Sequence, residues 1–355
     1  VRPDRAGETK FGEVTAFEDQ TTDKRTPCLV IDAQAFVANM QAMSEVRPGL
    51  QLRPHVKAFK TTELARKLSE NGHTAFTCAT LSEVAGLINA GLGSDVLLAN
   101  ETLDVDQLRQ VVALPGRLTI AVDSAETIAA AAQAGVDEVL IDVNVGLPRC
   151  GCPPEQAGAL ADEARAVGLT VRGVMGYEGH LMMVEDPAEK TQKVGESMAL
   201  LAQAAADVGT DFISAGGTGT YDTNTVASEI QAGSYTLMDT QYATLDSPFQ
   251  QAIWLEATII SINHESGYVV ADSGLKSMGM DHGNPTWPHG KVWFCSDEHV
   301  TMAPTDLSRW SVGDRVRIAP AHIDPTIAKH ERMWFVEGTG ADQSITEWPV
   351  DLRHW

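Results

Sequence analysis

Leu118-Thr119-Ile120-Ala121-Val122 is a short apolar run, and after Asp123-Ser124 it gives way to Ala125-Glu126-Thr127-Ile128-Ala129-Ala130-Ala131-Ala132-Gln133-Ala134, which is alanine-rich and helical in pattern. A second apolar run, Val139-Leu140-Ile141-Asp142-Val143, closes the unit. Strand, helix and strand at this spacing make one βαβ unit, which implies a parallel sheet. The pattern repeats from about residue 28 to 240. Strands are expected at Cys28–Ile31, Gln51–Arg53, Ala75–Cys78, Val96–Ala99, Leu118–Val122, Val139–Val143, Val171–Gly176, Phe212–Ala215 and Tyr235–Met238. Helices are expected at Thr61–Leu68, Leu81–Ala90, Ala125–Ala134, Pro154–Val167 and Ala188–Ala206. These nine strands compete for the eight places of a (β/α)8 TIM-type barrel. An open doubly wound sheet is the alternative, but it usually opens with a glycine-rich turn after its first strand, and none is present here. After about residue 245 the texture becomes short, β-rich and turn-bounded, at Trp254–Asn263, Tyr268–Asp272, Lys291–Cys295, Val316–Ile318 and Met333–Glu337. The expectation is therefore an α/β chain: a barrel over residues 28–245, then a C-terminal β domain made of 246–355 with the polar 1–27.

The chain has 355 residues, of which 48 are acidic and 26 basic, for a formal charge of −22. Such a surface repels a phosphate backbone and anionic lipid, so neither nucleic acid nor membrane is an expected partner. No apolar run reaches the length of a spanning helix, and the first residues show no signal-peptide pattern. Five scattered cysteines point to reduced thiols and a cytoplasmic setting rather than a disulfide framework.

Several strand ends carry reactive groups. Lys57 follows Arg53-Pro54-His55-Val56, and Lys60 lies just beyond; a desolvated lysine at a barrel rim can act as a nucleophile, whereas a rim lysine in a salt bridge is the plainer reading. Gly216-Gly217-Thr218-Gly219-Thr220-Tyr221 follows Phe212–Ala215, the seventh barrel strand if Cys28–Ile31 is left out, and the loops after the seventh and eighth strands of such folds commonly bind phosphate. Gly233, Ser234 and Tyr235 could add amides to the same phosphate. Arg149, in the stretch Asp142 through Gly151, could hydrogen-bond an anionic oxygen. Tyr177 and His180 offer an aromatic face and a general base. Cys150 and Cys152 read as two ordinary thiols. In Ala321-His322-Ile323-Asp324-Pro325-Thr326, a strand would aim His322 and Asp324 at one point, and Pro325 would then break the ladder. Nitrogen with hard oxygen suits Mn²⁺ or Mg²⁺, with Zn²⁺ possible. A lysine, an arginine, a Tyr/His pair and a phosphate loop after successive barrel strands together point to pyridoxal 5′-phosphate (PLP).

With Thr26-Pro27-Cys28-Leu29-Val30, Gln231 through Asp239 and Asp272-Ser273-Gly274-Leu275-Lys276 added to these motifs, the chain resembles the fold-type III PLP enzymes from Thr26 to Trp355. The resemblance is to the D-threonine aldolase and D-serine dehydratase branch, whose N-terminal barrel is like that of alanine racemase. It implies that Cys28–Ile31 lies outside the eight barrel strands and that a homodimer closes the site. Lys57 would be the Schiff-base lysine, Arg149 would bind the cofactor's phenolic oxygen, and Tyr177 would line the cofactor. Gly217, Thr218, Gly219, Thr220, Gly233, Ser234 and Tyr235 would cradle the phosphate. Gln231 would stand beside the ring nitrogen, where racemases of this fold place an arginine. His322 and Asp324 match the branch's metal pair. Dehydratase-like members carry Cys where Asp324 stands, so the carboxylate implies the aldolase side. Phe59 stands where the branch commonly has His.

The implied reaction cleaves a D-configured β-hydroxy-α-amino acid to glycine and an aldehyde, with His180 or water as base. The alternatives are a D-serine or 3-hydroxy-D-aspartate dehydratase, a racemase, a metal-free lysine aldolase for sugar phosphates and a non-catalytic PLP carrier. The carrier is a barrel alone, which the extra β region argues against.

Overall fold

The computed structural model describes residues 23–338 and 340–354, so the expectation for residues 1–22 lies outside the described residues. In chain order the elements are β1 (Cys28–Asp32), α1 (Ala33–Val46), α2 (Thr62–Glu70), β2 (Ala75–Cys78), α3 (Leu81–Asn89), β3 (Asp95–Leu98), α4 (Val105–Val112), β4 (Leu118–Val122), α5 (Ala125–Ala134), β5 (Glu138–Asp142), α6 (Ala157–Ala166), β6 (Thr170–Gly176), α7 (Pro187–Val208), β7 (Ile213–Ala215), β8 (Glu229–Ile230), β9 (Ile253–Asn263), β10 (Tyr268–Ala271), β11 (Gly290–Cys295), β12 (Val300–Pro304), β13 (Arg315–Ile318), α8 (Ile323–Ile327), β14 (Arg332–Glu337) and β15 (Ser344–Pro349). They form two compact units: Met43–Gly233 with 351–354, and 23–42 with Ser234–Val350. The sequence placed the barrel at residues 28–245, whereas the contacts divide at 42/43 and 233/234. The difference at the start arises because β1 hydrogen-bonds into the β-rich unit.

In the first unit β2 through β8 pair in sequence order. All neighbours are parallel. Leu52 makes a parallel bridge to Ile230, and His55 makes one to Thr77. The Arg53 N–H donates to the Ile230 carbonyl at 2.9 Å, and the Thr77 N–H donates to the Pro54 carbonyl at 2.9 Å. The segment 52–55 thus fills the first strand position and closes the sheet through eight. The eighth position is Glu229–Ile230, not the expected Tyr235–Met238. That stretch begins in a 3₁₀ turn at Ser234–Thr236, and Met238 sits at φ 58°, a left-handed conformation that no strand accommodates.

The helices form because their ends are satisfied. Ser124 caps α5 in a reciprocal box with Thr127, and Gly135 ends it at φ 81°, where a side chain would be strained. Asp186 caps α7 by accepting from the Glu189 N–H at 2.8 Å, with Pro187 in the first turn.

Alternate residues of the strands point inward. Leu97, Ala121, Leu140 and Met175 make one apolar cluster. Two residues earlier on β3, β4 and β5 stand Asp95, Thr119 and Glu138, all partners in a polar network. Arg53 is only 1% exposed. Its Nε donates to Glu229 Oε1 at 2.6 Å and its Nη1 to Asp95 Oδ1 at 3.1 Å. Arg172 grips both oxygens of Asp95 at 3.0 Å. These contacts hold Asp95 at a pKa of about 2: burial opposes ionisation, but hydrogen bonds from Arg172 and Arg53 outweigh it.

In the second unit the sheet runs β11-β12-β10-β9-β1-β14-β15, with β13 also on β9. Strand β1 is antiparallel to β9 and parallel to β14. Phe36 of α1 packs edge-on to Phe335, which also stacks on Trp348 at 3.8 Å. Strands β12 and β15 add to the five read from the sequence in this region. The expected strand at His322–Asp324 is instead the start of a helix: His322 holds the N-cap position of α8, without a side-chain capping bond, and Asp324 lies in its first turn. Pro325 also falls in that turn, where a missing N–H costs nothing.

Replacing Glu229 by Gln keeps the shape but leaves the buried Arg53 charge with only Asp95, which Arg172 shares. The expected result is a loss of about 3–5 kcal/mol of stability, read as a lower midpoint in urea or heat denaturation followed by circular dichroism.

Candidate active site

The first barrel strand ends at His55, and Val56–Ala58 make one 3₁₀ turn. The His55 Nδ1 accepts from the Lys57 N–H at 3.5 Å, and the ring also hydrogen-bonds the Thr77 backbone. Burial, with the Lys57, Lys60 and Arg149 cations nearby, holds its imidazole well below the ordinary histidine range. The two lysines differ sharply. Lys60 Nζ lies 2.5 Å from Glu83 Oε1, and Glu83 is fully buried. Among the described residues, no hydrogen bond or ion pair occupies the half-buried Lys57 amine. The salt-bridge reading therefore falls to Lys60, and among the described residues the Lys57 amine has no such pair. Phe59 is fully buried.

Beside this turn lies Gln231–Gly233. A Cβ on Gly233 would run into the His55 carbonyl, so glycine is required for the two segments to meet. Gln231 Nε2 donates to Ser214 Oγ at 2.9 Å, and Ser214 Oγ donates to Glu229 Oε1 at 2.7 Å. Gln231 is thereby tied to the Arg53 network.

The glycine turn after β7 is organised by Glu178, which is fully buried and was assigned no role from the sequence. Its carboxylate accepts from the Gly216 N–H (3.2 Å), Thr220 Oγ1 (2.9 Å) and Asn224 Nδ2 (3.0 Å). The Thr220 hydroxyl is therefore committed, and its N–H donates to the Gly217 carbonyl at 3.2 Å. Thr220 thus shapes the turn through both its hydroxyl and its backbone N–H. Thr218 is buried in the same turn, and a Cβ on Gly219 would collide with the Met182 carbonyl. The signal for Glu178 was an acid at a strand end, beside Tyr177 and His180, with no surface to face.

Tyr177 lies under the Arg149 guanidinium, 5.2 Å from ring centre to Cζ. The exposed His180 ring packs where a Gly146 side chain would stand. At the end of β5, burial and the neighbouring Glu101 carboxyl push Asp142 well above the usual carboxylate range. Cys150 is pushed up to about 12, mainly by its hydrogen bond to Glu101, and Cys152 to about 12 by burial, so both are neutral thiols near pH 7.

In the β-rich unit, Ser234 and Tyr235 lie in the 3₁₀ turn, and burial pushes the Tyr235 phenol up. Its ring tilts against Phe249 at 5.6 Å. Asp239 accepts from the Tyr242 N–H (3.0 Å) and the Ile323 N–H (3.1 Å), anchoring the start of α8. Burial raises its pKa to about 6. His322 Nε2 stands 3.7 Å from Asp324 Oδ2, too far for a hydrogen bond. Two metal–ligand bonds of about 2.1 Å meeting at an open angle span that gap, so the pair fits a divalent ion. Asp281 and His282 adjoin His322 and were not found from the sequence, being some forty residues upstream.

A closed parallel barrel bearing a free lysine at its first strand end, joined to a β-rich unit, defines the alanine racemase-like fold class. The chain belongs to the family described as alanine racemase, N-terminal domain, whose model matches residues 31–240; a serine dehydratase domain model matches residues 252–336. The chain is 32% identical to a D-threonine aldolase of Arthrobacter sp., over 92% of each protein. It is 30% identical to a 3-hydroxy-D-aspartate aldolase of Paracoccus denitrificans, over 93% of this chain and 92% of that one. The crystal structure of D-threonine aldolase from Filomicrobium marinum superposes with a TM-score of 0.86 at 29% identity, covering 93% of this chain and 95% of that one.

The fold family is PLP-dependent, and the residues present fit that cofactor. Besides the uncommitted Lys57 amine, the Thr77 hydroxyl is buried and makes no hydrogen bond among the described residues. Thr77 pairs with His55 and Leu97, so by register it faces the barrel interior. A buried polar atom of this kind suits a bound polar group.

The depressed His55 pKa gives a pH test. The unfolded imidazole gains its proton near 6.5, and the folded one resists. Its contribution to stability is therefore complete above pH 6.5 and is lost as pH falls towards the folded value. His55→Asn should flatten the stability–pH slope below 6.5 by up to about 1.4 kcal/mol per pH unit, measured as urea midpoints across pH.

Proposed function

We propose that this chain is a PLP- and divalent-metal-dependent aldolase that cleaves D-β-hydroxy-α-amino acids, of the D-threonine kind, to glycine and an aldehyde. It is a lyase. One observation carries the reading: a chain about 30% identical to two aldolases over nearly their whole lengths carries both an uncommitted barrel lysine and, in its β-rich unit, an imidazole–carboxylate donor pair. The carboxylate at 324, in place of a thiolate, favours a hard ion such as Mn²⁺ or Mg²⁺ over Zn²⁺. No helix among the described residues is long and apolar enough to cross a membrane.

When bound, PLP supplies an electron sink for the pair released as the Cα–Cβ bond breaks, and a divalent ion supplies positive charge for the β-oxygen. Lys57 would hold the cofactor through its amine. Gly217, Thr218, Gly219, Gly233, Ser234 and Tyr235 would cradle the phosphate, with Glu178 fixing the turn that carries the first three. Arg149, lying on Tyr177, presents donors for an anionic oxygen. Gln231 is neutral and has its amide nitrogen on Ser214, so it leaves a ring nitrogen beside it weakly polarised. His322 and Asp324 would hold the ion. His180 is exposed and can take the β-hydroxyl proton. The reading includes a homodimer and a small amino-acid substrate.

Incubation with D-threonine or 3-hydroxy-D-aspartate, PLP and Mn²⁺ should release glycine and the matching aldehyde or oxo acid in equal amounts. 2-Oxobutanoate or oxaloacetate, each with ammonia and without glycine, would instead mark dehydration. Lys57→Ala should lower turnover by about a thousandfold or more, and borohydride should fix the cofactor to the Lys57 peptide of the unaltered enzyme. Chelation by EDTA should abolish cleavage while leaving the visible absorption of bound cofactor in place, and added Mn²⁺ should restore it.

A further inference from the structure

We propose that Asp281 is a positioning residue that fixes the tautomer and orientation of His322, so that Nε2 alone is offered to the cation shared with Asp324; this rests on the metal pair of the proposed function. Asp281 Oδ2 lies 2.6 Å from His322 Nδ1. An ionised carboxylate only accepts, so Nδ1 carries the proton and Nε2 keeps its lone pair. Nε2 is the nitrogen that faces Asp324 Oδ2, at 3.7 Å. A carboxylate on the far nitrogen also makes the imidazole a better donor to a metal.

The contact is built into the fold and does not depend on a chance surface meeting. The Gly279 N–H donates to Thr326 Oγ1 at 2.9 Å, and the same hydroxyl donates to the His322 carbonyl at 2.6 Å. A Cβ on Gly279 would collide with the Pro325 ring, so the segment that brings in Asp281 lies flat on α8. Six residues beyond Asp324 the chain still follows this segment, for His330 Nε2 hydrogen-bonds the Ser277 carbonyl at 2.7 Å. His282 stacks on His322 with centroids 3.9 Å apart and rings 14° from parallel, which closes one face of the imidazole. Its Nε2 is 3.7 Å from Asp281 Oδ2.

The competing arrangement has Asp281, His282 and His322 as direct ligands, since their donor atoms lie within 4.8 Å of one another. In that arrangement Asp281 would bind the ion itself instead of holding His322 Nδ1 at 2.6 Å.

Mn²⁺ affinity of the full-length PLP-loaded protein, from the electron paramagnetic resonance signal of free Mn²⁺, separates the two. Asp281→Ala should weaken binding by about 10–100-fold. Asp281→Asn, which keeps a neutral acceptor, should fall between that variant and the unaltered protein. His282→Ala should stay within about threefold, since it removes no ligand or acceptor in this arrangement. Nitrogen-15 NMR of the metal-free protein should show His322 protonated at Nδ1, and Asp281→Ala should shift it towards Nε2–H. Unchanged Mn²⁺ affinity in Asp281→Ala, or a His282→Ala loss as large as that of His322→Ala, would overturn the proposal. If His322→Ala itself bound Mn²⁺ normally, the metal pair would be wrong and the positioning role would fall with it.

Discussion

A guanidinium enclosed in a barrel must be matched by carboxylates, because an uncompensated buried charge costs several kcal/mol. Arg53 is that guanidinium, and Glu229 and Asp95 match it. Arg172 then balances Asp95, and Glu138 stands near Arg172. One network thus links the first, third, fifth, sixth and eighth strand positions. Its register leaves no freedom, since slipping any strand by one residue would turn a charge outward.

The reactive positions are short extensions of that network. Lys57 follows Arg53 by four residues, through a turn whose backbone His55 caps. Gln231 follows Glu229 by two and is hydrogen-bonded to it through Ser214. Precision at the rim therefore comes from electrostatics at the base, consistent with functional groups being held by rigid elements. Buried acids recur as organisers in both units. Glu178 gathers a backbone N–H, a hydroxyl and an amide to shape the glycine turn, and Asp239 gathers two backbone N–H groups to start α8. Each buried acid is tolerated because several donors replace the water it loses.

Much of this was legible in the chain. Ala75–Cys78, Leu118–Val122 and Ala125–Ala134 fall where period and turn residues put them. Local propensity and tertiary packing agree there. Glu229–Ile230 was missed because two residues carry no periodicity, and Tyr235–Met238 was apolar for a different reason: it is buried in turns. His322-x-Asp324 was noticed as a donor pair but set on the wrong element. Three residues are too few to distinguish a strand from a capped helical turn, and Pro325 is compatible with both.

The sequence by itself determined the alternation of strand and helix, the change to β texture near residue 245, and which residue types stand at strand ends. These follow from local patterns, which survive without knowledge of what packs where. Only the tertiary structure decided that Lys60 is bound to Glu83 while Lys57 is not, that the Thr220 hydroxyl is spent on Glu178, and that Asp281 meets His322. Those outcomes depend on pairings between residues distant in the chain. A side chain's availability is set by its neighbours in space, which no window of sequence contains.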